Sequence, residues 1–262
     1  MEFKQVIGDR RTIRFFDPNQ RVDPAKIQVM LEAANRASRS VNADYAKAVV
    51  CYRDELPAEV LEQLKTPTTT VQLDLAPVAI FWWGDIEYAK PGQERLKELV
   101  DLGALPVTHG WSHTYVEKVA YAQVVKVIAS DPQLNAWMLS VECGLAMCQA
   151  MLAAVDEGLG VAMSAFNVDV AREALKVPDT WVPMWLMLVG YPAEDRLAGG
   201  QRPRRPLADN FYVGQFGTSW VEDAAVTERL RQEGMIQESM EGKEESRQAE
   251  IRSLAERFGL PL

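Results

Sequence analysis

Residues 135–160 read NAWMLSVECGLAMCQAMLAAVDEGLG, and this stretch decides how the rest of the chain is arranged. From Asn135 to Glu157, apolar side chains occupy nearly every face of a helix, and such a helix is normally buried. The following Gly158-Leu159-Gly160 supplies the glycines that commonly end a helix. The pattern therefore predicts a long, central, buried helix with the other elements packed around it.

Helix and strand patterns alternate on both sides of this helix. Residues 24–37 show apolar positions at helical spacing, with Asp23 as N-cap and Pro24 at the first helical position. The continuous apolar run of residues 78–83 predicts a strand covered on both faces. The remaining predictions are short extended segments at residues 49–52 and 161–164, a helix at 168–176 and a buried strand at 183–192. This alternation is typical of an α+β or α/β fold.

The two least regular regions define the predicted domain organisation. Residues 87–131 are helix-prone but irregular, and we interpret them as an excursion over an active site. Residues 222–257 carry dense mixed charge with few apolar positions, which is typical of a solvated helix or frayed tail. We therefore predict one globular domain over residues 1–221 and a charged helical extension over residues 222–262.

Composition disfavours several classes of protein. The formal net charge of −9 would repel nucleic acid and anionic membranes, so an anionic ligand would need a local basic cluster. Only three cysteines are present, which argues against a disulfide framework and suits a reducing compartment. We find no run of about 18 apolar residues to span a membrane, and residues 1–5 lack the apolar run of a secretory signal. The expectation is a cytoplasmic protein.

Two compact arginine clusters stand out against this acidic background. The first is RRTIR at residues 10–14, and the second is RPRRPL at residues 202–207. Forked guanidinium donors beside a hydroxyl suit the recognition of a phosphate group. The clusters are candidates for a single anion site, although each on its own is more often a solvated basic loop.

Six short segments, in this order, resemble the sequence pattern of the nitroreductase family. They are residues 10–16 (RRTIRFF), 37–44 (ASRSVNAD), 76–80 (APVAI), 153–160 (AAVDEGLG), 190–192 (GYP) and 202–207 (RPRRPL). The resemblance implies an α+β nitroreductase-like fold, in which a small, mostly antiparallel sheet is flanked by helices. It also implies an intertwined homodimer with FMN at the subunit interface.

The resemblance further implies a chemistry and a set of site residues. Electrons would pass from NADH or NADPH through the flavin N5 to a nitroaromatic, quinone or similar conjugated acceptor, with no catalytic side chain. The implied phosphate and ribityl contacts are Arg10, Arg11, Thr12, Arg14, Arg202 and Arg204. The implied ring contacts are Gln72, Ser164 and Ala165, together with Ser38, Arg39, Ser40 and Asn42 in the loop supplied by the partner subunit.

The loop at residues 38–44 departs from the family pattern. Asp44 stands where the family usually carries an amide, and Arg39 replaces a small residue. A carboxylate beside an electron-rich flavin is unfavourable unless it is paired, so we hypothesise that Arg39 pairs with Asp44 and reshapes the pocket. The departure leaves open a flavin-dependent dehydrogenase or a reductive dehalogenase on the same fold. A non-catalytic flavin-binding protein is a further alternative.

The excursion at residues 87–131 supplies the other candidate pocket residues. Trp111, His113 and Tyr115 are interpreted, with Asp44, as lining the substrate pocket. His109 and His113 are four residues apart, a spacing that binds zinc on a helix, but Gly110 interrupts the helical pattern. We therefore predict no metal site.

Overall fold

The computed structural model describes residues 1–67 and 69–260. Its strands are β1 (Ala46–Tyr52), β2 (Val78–Asp85), β3 (Gly160–Ser164) and β4 (Trp181–Gly190). The helices of the first half are α1 (Phe3–Asp9), α2 (Pro24–Asn35), α3 (Ala58–Leu64), α4 (Thr70–Leu75) and α5 (Gly92–Asp101). The later helices are α6 (His113–Tyr115), a π-helical segment (Val116–Val125), α7 (Lys126–Ser130), α8 (Pro132–Asp156), α9 (Val168–Ala174), α10 (Ala224–Gln232) and α11 (Glu244–Phe258). Single turns of 3₁₀ helix lie at Ser40–Asn42, Arg53–Glu55, Val107–His109 and Leu207–Asp209.

The four strands form one sheet in the order β1-β2-β4-β3, and every neighbouring pair is antiparallel. Residues 78–84 of the inner strand β2 are all buried, because helices and loops cover both faces of the sheet there. One core cluster packs α2 and α8 against one face, and a second cluster containing Phe81, Trp83 and Phe16 covers the other. The α+β fold with a small antiparallel sheet is confirmed.

Helix α8 is the long helix that the sequence predicts, but it is buried on one face only. Asp131 caps its first turn by accepting hydrogen bonds from the backbone of Gln133 and Leu134, and Gly158 ends the helix region in a left-handed conformation. Its buried face includes Leu139, Cys143, Ala146 and Ala150, whereas Leu134, Trp137, Val141 and Leu145 are exposed. The prediction of all-round burial is therefore wrong for a single chain, whose other elements cover only one side.

By length and composition alone, α8 is long and apolar enough to cross a membrane. The sequence analysis looked for an unbroken apolar run and therefore did not identify this helix as a candidate. Nearly half of its most apolar stretch is buried inside the protein. It also packs on α2 and β2 and carries the buried Glu142. These contacts are those of a core helix that leaves one apolar face open.

The C-terminal residues form two mostly exposed helices, as expected for a solvated helical extension, but they also fold back onto the body. Leu254 and Ala255 of α11 are buried. Gly234, just after α10, lies so close to Gly8 that a Cβ atom on Gly8 would be 1.7 Å from the Gly234 carbonyl oxygen. Only glycine at position 8 permits this contact. The domain boundary at residue 221 stays a prediction.

Candidate functional site

The first arginine segment is held at the edge of the sheet. Thr12 forms a parallel bridge with Val161 of β3, and the Ile13 amide donates to the Val161 carbonyl at 2.9 Å. Ala193, which follows β4, donates to the carbonyl of Phe15 at 2.8 Å. The segment therefore crosses from the β3 edge to the chain that leaves β4, and that chain continues towards the second arginine cluster.

The structure brings the two arginine clusters to one cavity of about 740 Å³. The first cluster contributes Arg10, Arg11 and Thr12, and the second contributes Arg202, Arg204 and Arg205. Among residues 1–67 and 69–260, the salt bridges include none from Arg10, Arg202, Arg204 or Arg205, although the whole chain is acidic. Glu222 and Asp223 also line this cavity, but no salt bridge joins them to these arginines, so the guanidinium groups are left to attract an anion.

Arg14 follows two residues after Thr12 of that cavity and is subject to the positive charge of Arg202. Burial lowers the pKa of its guanidinium, and the positive charge of Arg202 lowers it further. Both effects disfavour the charged side chain, so a bound anion would relieve them. Arg14, Arg202 and the residues of the first cluster thus form one electrostatic unit.

Arg11 is used inside the protein, which differs from the cofactor contact expected for it. Its side chain is buried, and its Nε donates to the carbonyls of Leu197 at 2.9 Å and Gly200 at 3.0 Å. Its Nη2 donates to the Gln237 side chain at 2.7 Å. Arg11 therefore fixes the turn that precedes Arg202, because a buried guanidinium must satisfy its donors.

Glu194 is a site residue that the sequence analysis missed. Its side chain is fully buried, and one carboxylate oxygen accepts from the backbone amides of Arg14 and Phe15, the latter at 3.0 Å. The other oxygen accepts from Arg247 of α11. No motif marks this glutamate, because its partners come from segments distant in sequence.

The loop at residues 38–44 forms a second group of candidate residues. Arg39 and Asp44 form an ion pair with 2.6 Å between Nη1 and Oδ1, so the pairing that we hypothesised from the sequence is present. Val41 and Asn42 have φ angles of 50° and 52°. A β-branched residue there costs of order 1–3 kcal/mol, and such strain clusters at functional sites.

A buried carboxylate on α8 holds this loop. Glu142 accepts from the backbone amide of Ser40 at 3.2 Å and also from the Ser40 hydroxyl. Its second oxygen, Oε2, is buried and has no partner among the described residues. Glu142 also lines a cavity of about 350 Å³ with Tyr45, Trp82 and the Arg39–Asp44 pair. Burial raises the pKa of Tyr45, and the nearby Glu142 raises it further.

The two groups do not share these cavities. The arginine cavity has no lining residue from the loop, and the two cavities at the loop, one of which includes Ser38 and Asn42, have none from the arginine clusters. Ser164 ends β3 and Ala165 follows it, three residues beyond the Thr12 bridge at Val161. At about 3.3 Å per residue, Ser164 is roughly 10 Å further along the strand. Gln72 lies on α4, beside Val71, which shares a cavity with Phe15.

The excursion residues form their own contacts. The rings of Trp111 and Tyr115 pack edge-to-face with centroids 5.2 Å apart, and the His113 ring nitrogen lies 2.7 Å from Asp101. Neither cavity at the loop includes any of the three. His109 and His113 are separated by the left-handed Gly110 and do not share a helix. Within the described residues, no group of three or more His, Cys, Asp or Glu side chains could hold a metal ion.

Comparison with known proteins places this geometry in a family. Residues 7–191 match the profile of the Nitroreductase family. YdgI of Bacillus subtilis (strain 168), provisionally named as an NAD(P)H nitroreductase, is 23% identical over 214 residues, covering 79% of this chain and 97% of YdgI.

Two solved structures share the fold. A nitroreductase family protein from Streptococcus pneumoniae TIGR4 is 24% identical, with a TM-score of 0.63, over 80% of this chain and 98% of that chain. A provisionally assigned nitroreductase from Exiguobacterium sibiricum 255-15, in complex with FMN, is 21% identical with a TM-score of 0.63, over 80% and 95%. Residues 192–262 lie beyond the family match, which still spans well over half of the sequence. The chain belongs to the nitroreductase family.

Proposed function

We propose that this nitroreductase-family oxidoreductase binds FMN and takes electrons from NADH or NADPH. The proposed acceptor is a nitroaromatic, quinone or similar conjugated compound, and the protein acts as a cytoplasmic homodimer. The observation that carries the proposal is the meeting of two arginine clusters, without salt bridges among the described residues, at one cavity of an acidic chain. The Exiguobacterium relative, whose structure contains FMN, supports the identity of the anion.

The residues present fit a flavin mononucleotide. Arg10, Arg202 and Arg204 offer forked donors for a phosphate, and Thr12 adds a hydroxyl beside them. The end of β3 at Ser164 and Ala165 lies farther along the same edge, where the ring would extend. Bound FMN supplies the hydride chemistry, while the protein binds and orients the reactants. The site therefore needs no nucleophilic side chain.

We propose a homodimer because a single chain leaves the candidate site divided and leaves apolar surfaces exposed. The loop at residues 38–44 lines two cavities that are separate from the arginine cavity. The exposed apolar face of α8 and a hairpin at residues 211–220, which exposes Phe211, Phe216 and Trp220, offer surfaces for a second copy. The proposed dimer uses these surfaces, and in it the loop of one chain completes the arginine site of the other.

The first experiment is to purify the protein untagged, record its visible spectrum and identify the flavin that a denaturant releases. We expect a yellow protein that releases about one FMN per chain, as implied by one phosphate site per subunit. A colourless protein that takes up no added FMN would contradict the proposal. Oxidation of NADH or NADPH that depends on an acceptor then separates a reductase from a non-catalytic flavin-binding protein.

A matched pair of variants tests the phosphate site itself. Arg202→Ala should weaken FMN binding about ten-fold or more, because it removes a charged donor to phosphate. Arg21→Ala is the control, since Arg21 is exposed, pairs with Asp54 and Glu55, and lines none of the three cavities described above. Equal FMN affinities in the two variants would argue against a phosphate at this cavity.

The Arg39–Asp44 pair favours a second candidate chemistry. This pair alters the loop that the family resemblance assigns to the flavin, and an altered loop suits a different substrate. The candidate is a flavin-dependent dehydrogenase or a reductive dehalogenase on the same fold. Anaerobic bleaching of the flavin by a substrate without nicotinamide would favour dehydrogenation. Halide release with NADPH as donor would favour dehalogenation.

A further inference from the structure

The C-terminal helix α11, beyond the family match, reaches into the arginine site through one ion pair. Arg247 binds Glu194 with one guanidinium nitrogen and Glu250 of its own helix with the other, the latter at 2.6 Å. The side chain of Arg247 is 10% exposed and that of Glu194 is 0% exposed. The interaction is therefore a buried ion pair that fixes the orientation of Glu194.

Glu194 transmits that orientation to the first arginine segment. Its other oxygen accepts from two consecutive backbone amides, those of Arg14 and Phe15. Two donors converging on one oxygen fix the position of the backbone that carries Arg14. If Glu194 lost Arg247, its carboxylate could rotate, and the Arg14 backbone would lose a fixed acceptor.

A second set of contacts ties the tail to both arginine clusters. The Gln237 side chain accepts from Arg11 at 2.7 Å and donates to Asp9 at 2.6 Å. Its backbone amide donates to the side chain of Gln201 at 2.9 Å. Gln201 immediately precedes Arg202, and its backbone amide donates to the backbone carbonyl of Glu238 at 2.8 Å. The tail thus bridges the segments that carry the two clusters.

We propose that the tail is a structural part of the phosphate site, in which Arg247, acting through Glu194, is a positioning residue for Arg14 and its neighbours. This inference rests on the proposed FMN function. Arg247 is not a ligand of the phosphate, since its guanidinium is occupied by Glu194 and Glu250. Glu194 also balances the positive charges of Arg14 and Arg247, which would otherwise repel each other. We therefore predict that a substitution in the tail weakens binding of FMN, which carries the phosphate group, without weakening binding of a flavin that lacks it.

The test compares FMN with riboflavin, which has the same ring and ribityl chain but no phosphate. Both are titrated into the flavin-free full-length protein by fluorescence quenching. Arg247→Met should weaken FMN about ten-fold, as expected for loss of one charge-assisted hydrogen bond to the phosphate. Riboflavin affinity should stay unchanged. Arg247→Lys should recover part of the loss, because it restores a cation beside Glu194.

The control and the neutral double variant keep the test decisive. Arg252→Met is the control, since Arg252 is exposed on the same helix and forms no salt bridge among the described residues. If Arg247→Met unfolds, the Glu194→Gln/Arg247→Met double variant avoids an unpaired buried charge, and it should show the same selective loss. Equal losses for both flavins, or no loss for either, would overturn the inference and leave the tail a stabilising element.

The wild-type titration separates this inference from the proposed function. A wild-type protein that binds FMN more tightly than riboflavin supports the phosphate site, and the variants then decide the role of the tail. A wild-type protein that binds FMN no more tightly than riboflavin contradicts the phosphate site itself. In that case the positioning role fails with it.

Discussion

Two buried glutamates hold the two segments to which we assign the cofactor, and they do so differently. Glu194 accepts from the amides of Arg14 and Phe15, and Glu142 accepts from the amide and hydroxyl of Ser40. In each case one carboxylate oxygen receives both donors. The second oxygen of Glu194 binds Arg247, whereas that of Glu142 has no partner in the described part of the chain.

This difference indicates which part of the site a single chain completes. A buried carboxylate is stable when its charge is paired and its oxygens are bonded, and Glu194 meets both conditions within one chain. Glu142 meets neither fully, because its buried Oε2 can still accept from a further donor. The arginine region is therefore assembled by the chain's own tail, while the loop region is left incomplete.

The largest expected effect comes from breaking the completed region. Glu194→Ala should lower the free energy of unfolding by about 3–5 kcal/mol, because it leaves Arg247 buried without its main counter-ion. The free energy of unfolding is measured by urea denaturation, with circular dichroism as the signal. The control Glu238→Ala removes a carboxylate that is largely exposed and pairs with Lys243. It should change the free energy by no more than about 1 kcal/mol. A similarly small loss for Glu194→Ala would remove the distinction between the two glutamates.

A smaller effect is expected at the incomplete region. Glu142→Ala should lower the free energy of unfolding by about 1–3 kcal/mol, because the two donors of Ser40 lose their buried acceptor. Glu142→Gln keeps an acceptor oxygen and should cost less than Glu142→Ala, since no cation depends on the lost charge. The same urea titrations compare the two variants. A Gln variant as unstable as the Ala variant would show that Glu142 does have a charged partner.

The ion pair in the loop should affect function more than stability. The Asp44 side chain is 48% exposed, so Asp44→Asn should lower the free energy of unfolding by no more than about 1 kcal/mol. We expect a changed ranking of kcat/KM over a panel of nitroaromatics and quinones. Asp54→Asn is the control, because Asp54 forms an exposed pair with Arg21 and is separated from the loop by the length of strand β1. If flavin affinity, the rate of flavin reduction and the acceptor ranking all stay unchanged, the proposed role of the pair is wrong.

The smallest perturbation is chemical labelling of the cysteines. Burial raises the pKa of the Cys51 thiol to about 11 and that of Cys143 to about 12, so at pH 8 at most about one thiol in a thousand is ionised. Iodoacetamide should therefore label the exposed Cys148 first, as mass spectrometry can show. Cys148 continues the exposed face of α8 beyond Leu145, so its labelling should slow as protein concentration rises and a dimer covers it. Equal rates at all concentrations would argue against a dimer through this face.

Local patterns in the sequence were sufficient for much of the fold. The Asp23 cap, the run of residues 78–83 and the helix that ends near Gly158 each depend on neighbours in sequence, and the structure confirms them. The Arg39–Asp44 pair was also within reach, because the two residues are five positions apart.

The sequence by itself determined the family, the four strands, helices such as α2 and α8, and the candidate phosphate-binding clusters, because these are encoded in short motifs and periodic apolar positions. Only the tertiary structure decided that Glu194 joins Arg14 to Arg247, that Arg11 is used internally and that Glu142 lacks a second partner. The partners in these contacts lie 53 to 189 residues apart in sequence, so no local pattern marks them. A buried polar group takes whatever partner the packed chain brings within hydrogen-bond distance, and that depends on how distant segments meet.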